Sequence, residues 1–261
     1  MRLIQQKPWF GTLRNDFHWS TQGLVFASPF RPNQRLIDYS YLASHGDITG
    51  ATWAGQGLDF NPAEEDYVEV PAKTGRFSGP DFTIISKFHV RSLGTDNSGR
   101  LIQFGTDNTF SEWSGNNFIW RRDAATNGRW FMTDPLITFP STITLAITQV
   151  GIEAPKFYLD GVSVGVSEID APAGAPTTLD GKTIRIAARN HPSTFRVFDS
   201  IIFDFKIYNR ALNASQIQAL SQDLWLPFKQ DRLIFAPTAG AVRLVNGGLI
   251  DSGLVGGRLI A

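Results

Sequence analysis

The sequence predicts an all-β protein: a two-sheet antiparallel jelly-roll sandwich with one short C-terminal helix and extended N- and C-terminal arms. About a dozen segments alternate apolar and polar residues with the period of two that a half-buried strand requires. They recur at intervals of roughly 8 to 15 residues, which is typical of sandwich strands. An apolar pattern of helical period occurs at Ile217, Leu220 and Leu224.

The predicted strands follow an N-terminal arm, residues 1–22. In chain order they are 23–30, 67–70, 81–90, 99–105, 118–122, 129–133, 142–150, 156–166 as a hairpin, 182–187 and 203–208. The hairpin has the clearest turn, because Asp160-Gly161 supplies the two residues with positive φ that a tight turn needs. These strands are sufficient for two packed sheets.

The last strand and the helix after it organise the predicted core. Alternation places Phe203, Phe205 and Ile207 on one face and more polar residues on the other, as in a half-buried strand. The side chain of Asn213 can cap the helix, and Gln216 is placed to complete a capping box. We therefore expect a core strand with a short helix packed behind it.

Composition restricts the function. The 261 residues suffice for one large domain with arms, and 24 Lys and Arg balance 24 Asp and Glu, which argues against nucleic-acid binding. The absence of cysteine excludes disulfides and thiolate metal sites. The sequence has no signal-peptide core and no stretch of about 18 apolar residues, so we expect folding in a cytoplasm and no membrane insertion.

The chain is rich in aromatic residues, 12% with seven Trp and 20 Phe, and poor in charged ones, 18%. Soluble domains average about 25% charged residues. Two explanations stay open at this point: part of the surface is covered in an assembly, or the sandwich has a large aromatic core.

The run FDSIIFDFKIYNRALNASQIQAL, residues 198–220, resembles the closing signature of laminin-G-like jelly rolls in the concanavalin A-like lectin/glucanase superfamily. That signature reads F-D-G-x-I-D-D-V-R-I-Y-N-R-A-L-S-x-x-E-I. Ser200 replaces its glycine, Phe203 its first paired aspartate and Gln216 its glutamate. FYLDGV (157–162) and LDFNPAEEDYVEVP (58–71) are also similar to segments of this family. The resemblance implies a concanavalin A-like jelly roll.

The segments that flank this domain resemble those of phage-type members of the family. His18 to Phe26 is similar to their opening segment, and LWLPFK, residues 224–229, to the segment that often follows the domain. We therefore divide the chain into an N-terminal arm (1–22), a laminin-G-like jelly roll (23–228) and a C-terminal extension (229–261) for partner contacts. The extension contains few charged residues, which favours added strands on a partner.

Two sets of residues are candidate binding sites. Related domains often bind calcium near loops like the acidic one here, which suggests a calcium site at Asp59, Glu64, Glu65 and Asp66; a solvated acidic turn is the alternative. A carbohydrate site needs an aromatic platform beside polar groups. That platform is predicted at Trp113, Asn116, Asn117, Trp120 and Arg122, although both tryptophans also suit the core or an interface.

No catalytic residues are predicted. Glycoside hydrolases of the same superfamily use a strand with E-x-D-x-E, in which paired carboxylates attack and protonate the glycosidic bond. The nearest match, Glu168-Ile169-Asp170, has Pro172 in place of the third carboxylate, so a solvated turn is the better interpretation.

The leading functional hypothesis is a non-enzymatic bacteriophage virion structural protein, assembled in the host cytoplasm, that decorates the capsid or tail. Its expected partners are other virion proteins, copies of itself as a homo-oligomer, and cell-surface glycans. The alternative is a glycan-binding adhesin or receptor-binding module without a structural role. A glycan hydrolase with an unrecognised carboxylate pair ranks below both.

Overall fold

The protein is described by a computed structural model for residues 18–32, 36–106, 109–114, 117–133, 137–190 and 196–228. Contacts between Cα atoms divide the chain into two compact units, Gly23–Leu224 and Met1–Gln22 with Trp225–Ala261. Within the second unit the described parts are two short 3-10 helices, Trp19–Thr21 and Leu226–Phe228. Most of both predicted arms lies outside the described residues, so the predicted domain division stays a prediction.

The larger unit consists of eighteen strands and one α-helix among its described residues. The strands are β1 (Leu24–Pro29), β2 (Asp47–Thr49), β3 (Thr52–Ala54), β4 (Gly57–Phe60), β5 (Tyr67–Val70), β6 (Phe82–Val90), β7 (Arg100–Phe104), β8 (Phe110–Ser114), β9 (Asn117–Arg122), β10 (Ala124–Thr126), β11 (Gly128–Met132), β12 (Ser141–Gln149), β13 (Lys156–Leu159), β14 (Val162–Val164), β15 (Val166–Asp170), β16 (Ala173–Pro176), β17 (Ile184–Ile186) and β18 (Ser200–Tyr208). The helix is α1 (Ala214–Gln222). None of the described helices is long and apolar enough to cross a membrane.

Two eight-stranded antiparallel sheets form the sandwich. The first has the order β14-β13-β12-β6-β18-β4-β3, with β1 also paired to β18, and the second has the order β15-β11-β9-β8-β7-β17-β5-β2. A separate ribbon pairs β10 with β16. The predicted fold class, a two-sheet jelly roll with one short helix, is confirmed. Sequence analysis missed short strands such as β2, β3 and β16, because three or four residues carry too little alternation.

Aromatic side chains from both sheets form the core between them. Phe82 of the first sheet contacts Trp120 of the second, with ring centroids 5.2 Å apart, and Phe118 packs edge-on against Phe157 at 5.9 Å. Trp120 also donates from Nε1 to the side-chain oxygen of Gln149 at 2.8 Å, which satisfies its polar atom inside the core. A large aromatic core therefore accounts for much of the aromatic content.

Strand β18 differs from its prediction at Phe203. The pairing with β6 shifts register between Ile202 and Asp204, which is the mark of a bulge, and a bulge reverses the faces of the residues on either side. Ile202 therefore lies in the core with Phe205 and Ile207, whereas Phe203 is only half-buried. The placement of Phe203 on the core face was wrong, because strict alternation does not allow for the extra residue that a bulge inserts.

The opposite face of β18 is also buried, although a half-buried strand was predicted. Lys206 has no exposed surface, and its ammonium forms an ion pair with the carboxylate of Asp204. Burial lowers the pKa of Lys206, while the charge of Asp204 opposes that shift.

The predicted local signals at the helix and the hairpin are confirmed. The Asn213 side chain accepts from the Gln216 backbone at 2.9 Å, and the Gln216 side chain accepts from the Asn213 backbone at 3.1 Å, a complete capping box. In the β13–β14 hairpin, Asp160 and Gly161 have φ of 48° and 85°. The Asp160 carboxylate additionally accepts from the Thr144 backbone at 2.8 Å, which joins the turn to β12.

Candidate functional site

A polar cavity of about 430 Å³ lies at one end of the first sheet, in the larger unit. Its wall is made by β3, β4, the turn between β4 and β5, and the positions that directly follow β6 and precede β18. The lining residues are Thr52, Asp59, Asn61, Pro62, Glu64, Asp66, Arg91 and Asp199. We call this the Arg91 cavity.

Strand pairing explains why residues so far apart in sequence meet here. Ile201 of β18 lies opposite both Asp59 of β4 and His89 of β6. Two residues beyond that point, the Arg91 backbone donates to the Asp199 carbonyl at 3.0 Å and so extends the ladder past the strand ends. The central position of β18 therefore brings an arginine and two aspartates to one edge.

Arg91 is held from two sides by carboxylates. Its Nη2 donates to Asp59 at 2.6 Å and to the Phe60 carbonyl at 2.9 Å, and its Nε donates to Asp199 at 2.7 Å. The hydrogen bond to Asp59 and the nearby charge of Asp199 raise the pKa of the Arg91 guanidinium, so it stays charged. No hydrogen bond joins its Nη1 to another described residue, and Arg91 is one of the residues that line the cavity.

Asp199 is fixed by a further contact, which makes the arrangement rigid. The Ser92 hydroxyl donates to its second carboxylate oxygen at 2.5 Å. In addition, the Thr95 hydroxyl donates to the Pro62 carbonyl at 3.1 Å and ties the turn 61–66 to the segment after β6. The donors and acceptors of the Arg91 cavity are therefore positioned before any ligand arrives.

Asp66 is the buried carboxylate of the Arg91 cavity, with 2% of its surface exposed. One oxygen accepts from the Asn61 backbone at 2.7 Å, while Oδ1 has no partner among the described residues. Burial raises the pKa of this carboxyl, and the charges of Glu64 and Asp59 raise it further. Gly50 makes room for Oδ1, because a Cβ at that position would collide with it.

The structure brings three of the four predicted metal ligands to this cavity but does not arrange them as a metal site. Asp59 is turned toward Arg91, Asp66 is buried in the turn, and Glu64 and Glu65 are exposed. Within the described ranges, no three His, Asp or Glu side chains come together closely enough to hold a metal ion. The four residues therefore do not form the predicted calcium cluster, because Asp59 pairs with Arg91 and the Asp66 carboxylate accepts from the Asn61 backbone.

The predicted carbohydrate platform is not formed. Trp113 and Trp120 have 1% and 0% of their surface exposed, and Trp113 packs against Phe118 with ring centroids 5.0 Å apart. Arg122 is also buried, Asn117 is exposed at the start of β9, and Asn116 lies outside the described residues. The prediction was wrong because the alternation of side chains on β8 and β9 turns both indoles inward, between the sheets.

The residues Glu168 and Asp170 are also placed differently from their prediction. They belong to β15, an edge strand, and not to a solvated turn. Glu168 accepts from Trp130 Nε1 at 3.2 Å, and Asp170 pairs with Arg129 at 3.0 Å.

Sequence reasoning missed Arg91, Asp199 and Thr52. A signal existed for Asp199, because Phe198-Asp199 opens the closing signature quoted above. Arg91 and Thr52 lie outside the matched motifs, so only the sheet pairing reveals their place.

The fold is a lectin-like jelly roll. The chain belongs to the concanavalin A-like lectin/glucanases superfamily, since residues 62–218, more than half of its length, match the family of that description. A comparison with curated proteins gave no match.

Similar solved structures include the binding domain of Paraclostridial Mosquitocidal Protein 1, at 19% identity and a TM-score of 0.61, covering 79% of this chain and 53% of that one. The Trypanosoma rangeli sialidase is similar at 18% identity and a TM-score of 0.58, covering 77% and 33%. The binding domain of botulinum neurotoxin serotype D/C VPI 5993 has 12% identity and a TM-score of 0.60, covering 78% and 53%. The chain thus spans about half or less of these structures, and identities this low show a shared fold alone.

Proposed function

We propose that the protein is a non-enzymatic glycan-binding module and that the Arg91 cavity receives the sugar. The observation that carries this proposal is the pre-positioned set of donors and acceptors in a cavity of about 430 Å³. Arg91 and the Thr52 hydroxyl can donate, whereas the Glu64 carboxylate can accept. Sugar hydroxyl groups are both donors and acceptors, so they can pair with the donors and with the acceptors of the cavity wall.

No aromatic side chain of the described residues lines the cavity, so a ring would be held by hydrogen bonds without stacking. A single site of this kind binds weakly, and several copies displayed together would bind more tightly by avidity. The fold of the similar toxin binding domains is compatible with this role but does not assign it. The sequence lacks the E-x-D-x-E strand of glycoside hydrolases in this superfamily, and this supports the non-enzymatic part of the proposal.

The test is a glycan array probed with the biotinylated chain on streptavidin, which displays four copies. Thr52→Tyr fills the cavity from an exposed strand position that tolerates aromatic residues, and Thr49→Tyr makes the same change at an exposed position of β2 that is not part of the cavity lining. We expect the native chain and Thr49→Tyr to bind the same glycans and Thr52→Tyr to lose them. No binding by the native display, or equal binding by Thr52→Tyr, would refute the proposal.

The virion hypothesis is a second proposal, supported by the resemblance of the segments around residues 18–26 and 224–229 to phage-type sequences. A decorating protein of the capsid or tail could carry the same glycan-binding module. Light scattering would compare the full chain with a chain ending at Gln230. An oligomer, or binding to purified particles, seen only for the full chain would support this proposal, whereas two monomers that ignore particles would oppose it.

A further inference from the structure

The outer face of the second sheet carries a row of paired side chains that includes three arginines. Directly opposite residues of antiparallel strands point to the same face. The row crosses β17, β7, β8, β9 and β11 in the order Arg185, Gln103, Phe110, Arg121 and Arg129. Trp120, the neighbour of Arg121 along β9, lies in the core, so alternation places this row on the outer face.

Arg121 and Arg129 are direct cross-strand partners in this row, which puts two like charges side by side. Their Cα atoms are separated by the spacing of a paired position, about 5 Å. Like charges directly opposite each other destabilise a sheet. Arg129 pairs with Asp170 at 3.0 Å, but these side chains are 41% and 53% exposed. Such an exposed pair contributes little, so it does not explain why the two arginines stand together.

Arg121 contacts a neutral group where a counter-ion would be expected. With its amide nitrogen toward Asp123, Asn127 donates to that carboxylate at 2.7 Å and accepts from Arg121 Nη2 at 2.8 Å. No ion pair joins Arg121 to a described residue, and its guanidinium carbon lies 5.9 Å from the centre of the Phe110 ring. Because Arg121 is half-buried, part of its side chain still reaches solvent.

The adjacent row on the same face supplies no spare carboxylate to this pair. Glu112 lies two residues from Phe110 on β8, and its Oε2 pairs with Arg100 at 3.3 Å and with Arg196 at 2.9 Å. One carboxylate oxygen therefore serves two guanidinium groups. The positive charge at Arg121 and Arg129 is left for an anion from outside the described residues.

An aromatic side chain adjoins the two arginines. Phe131 lies two residues after Arg129 on β11, so it points to the same outer face, and its direct partner on β9 is Ile119. Phe131 is half-buried, so part of its ring surface is accessible. Aromatic rings form platforms for the apolar faces of ligands. A ligand that combines an anionic group with a C–H surface therefore fits this place.

We propose that Arg121, Arg129 and Phe131 form a site for a sugar that carries a phosphate or sulfate ester. Such an ester presents three oxygens, which can accept hydrogen bonds from both guanidinium groups, while the sugar ring packs on Phe131. A carboxylate has two oxygens, and one guanidinium in fork geometry occupies both. The proposal goes beyond the function proposed above, because none of these three residues lines the Arg91 cavity.

Titrations followed by NMR at pH 7 and low ionic strength test this site, with the backbone amide signals of residues 119–121 and 129–131 as the readout. The probes are glucose 6-phosphate, glucose 6-sulfate, glucuronic acid and glucose. We expect both esters to shift these signals, glucuronic acid to bind at least about threefold more weakly, and glucose to leave them unchanged. Added salt should weaken the binding of the esters.

Substitutions locate the interaction. Arg121→Gln and Arg129→Gln should each weaken the binding of the esters about tenfold or more, since each removes a charge-assisted contact. Lys156→Gln removes one positive charge from an exposed position of β13 in the first sheet and should leave the binding unchanged. Arg121→Gln also relieves the like-charge pair, so its Tm should not fall and lost binding would not reflect unfolding. Phe131→Leu should weaken the sugar esters about threefold and leave inorganic phosphate unaffected.

Several outcomes would overturn the proposal. They are an absence of shifts with either ester, equal binding of the esters by Arg121→Gln and Arg129→Gln, and inorganic phosphate or sulfate that binds as tightly as the sugar esters, which would show an adventitious ion only. Tighter binding of a single-stranded DNA oligonucleotide at equal phosphate concentration would instead indicate a general polyanion surface. Thr52→Tyr should leave the binding of the esters unchanged, so a failure of the Arg91 cavity and a failure of this site are distinguishable.

Discussion

Asp59 and Asp199 form a clamp of two ion pairs on Arg91. Replacing Arg91 by methionine tests how much this clamp stabilises the protein. The substitution removes three hydrogen bonds and leaves Asp59 and Asp199 facing each other without the cation between them. The arginine side chain is 33% exposed and the two carboxylates 28% and 14%, so the clamp is intermediate between a surface pair and a buried one.

The expected cost follows from that intermediate position. Exposed pairs contribute about 0.2–1 kcal/mol, and breaking a buried pair costs about 3–5 kcal/mol. We therefore expect about 2 kcal/mol for Arg91→Met after discounting for solvent screening. For a domain of roughly 200 residues this corresponds to a fall in Tm of about 4–8 °C.

Urea and thermal unfolding at neutral pH measure this loss. The matched control is Arg129→Met, because the Arg129 pair with Asp170 is more exposed, 41% and 53%, at 3.0 Å. That control should cost less than about 1 kcal/mol. Combining Arg91→Met with Asp199→Asn should restore part of the stability, since it removes a carboxylate that the first change left uncompensated. A Tm for Arg91→Met no lower than that of Arg129→Met would refute the reasoning.

Three further outcomes are expected. Trp113→Ala should cost about 3–5 kcal/mol in urea unfolding, because its indole fills the core; unchanged stability would contradict its burial. Gly50→Ala, at φ +71°, should cost more than Gly55→Ala, at φ +60° with open space around its Cβ, and equal costs would show that Asp66 is not crowded. Asp66→Asn should gain stability relative to the native chain as the pH rises from the unfolded value of 3.8 toward neutrality. The raised native pKa makes ionisation of Asp66 unfavourable for folding, so a difference that is flat with pH, measured by unfolding at several pH values, would contradict the raised pKa.

Local patterns in the sequence were sufficient for most of the fold. Alternation identified β6 and β12, and short-range chemistry identified the Asp160-Gly161 turn and the Asn213 cap, because each depends on neighbours within a few residues. The bulge after Ile202 could not be predicted, since it arises where β18 must pair with β6, β4 and β1 along one length. An extra residue in one strand is visible only against its partners.

The candidate site also depends partly on local sequence and partly on strand pairing. The sequence by itself determined the two-sheet architecture and marked the acidic turn that contains Glu64 and Asp66. Only the tertiary structure showed that this turn shares a cavity with Arg91 and Asp199, which are distant from it in sequence and are brought in by the pairing of β18 with β4 and β6. Strand order is set by long-range packing. Composition and spacing can therefore suggest ligating groups, but they cannot show which charged residues of other strands lie beside those groups.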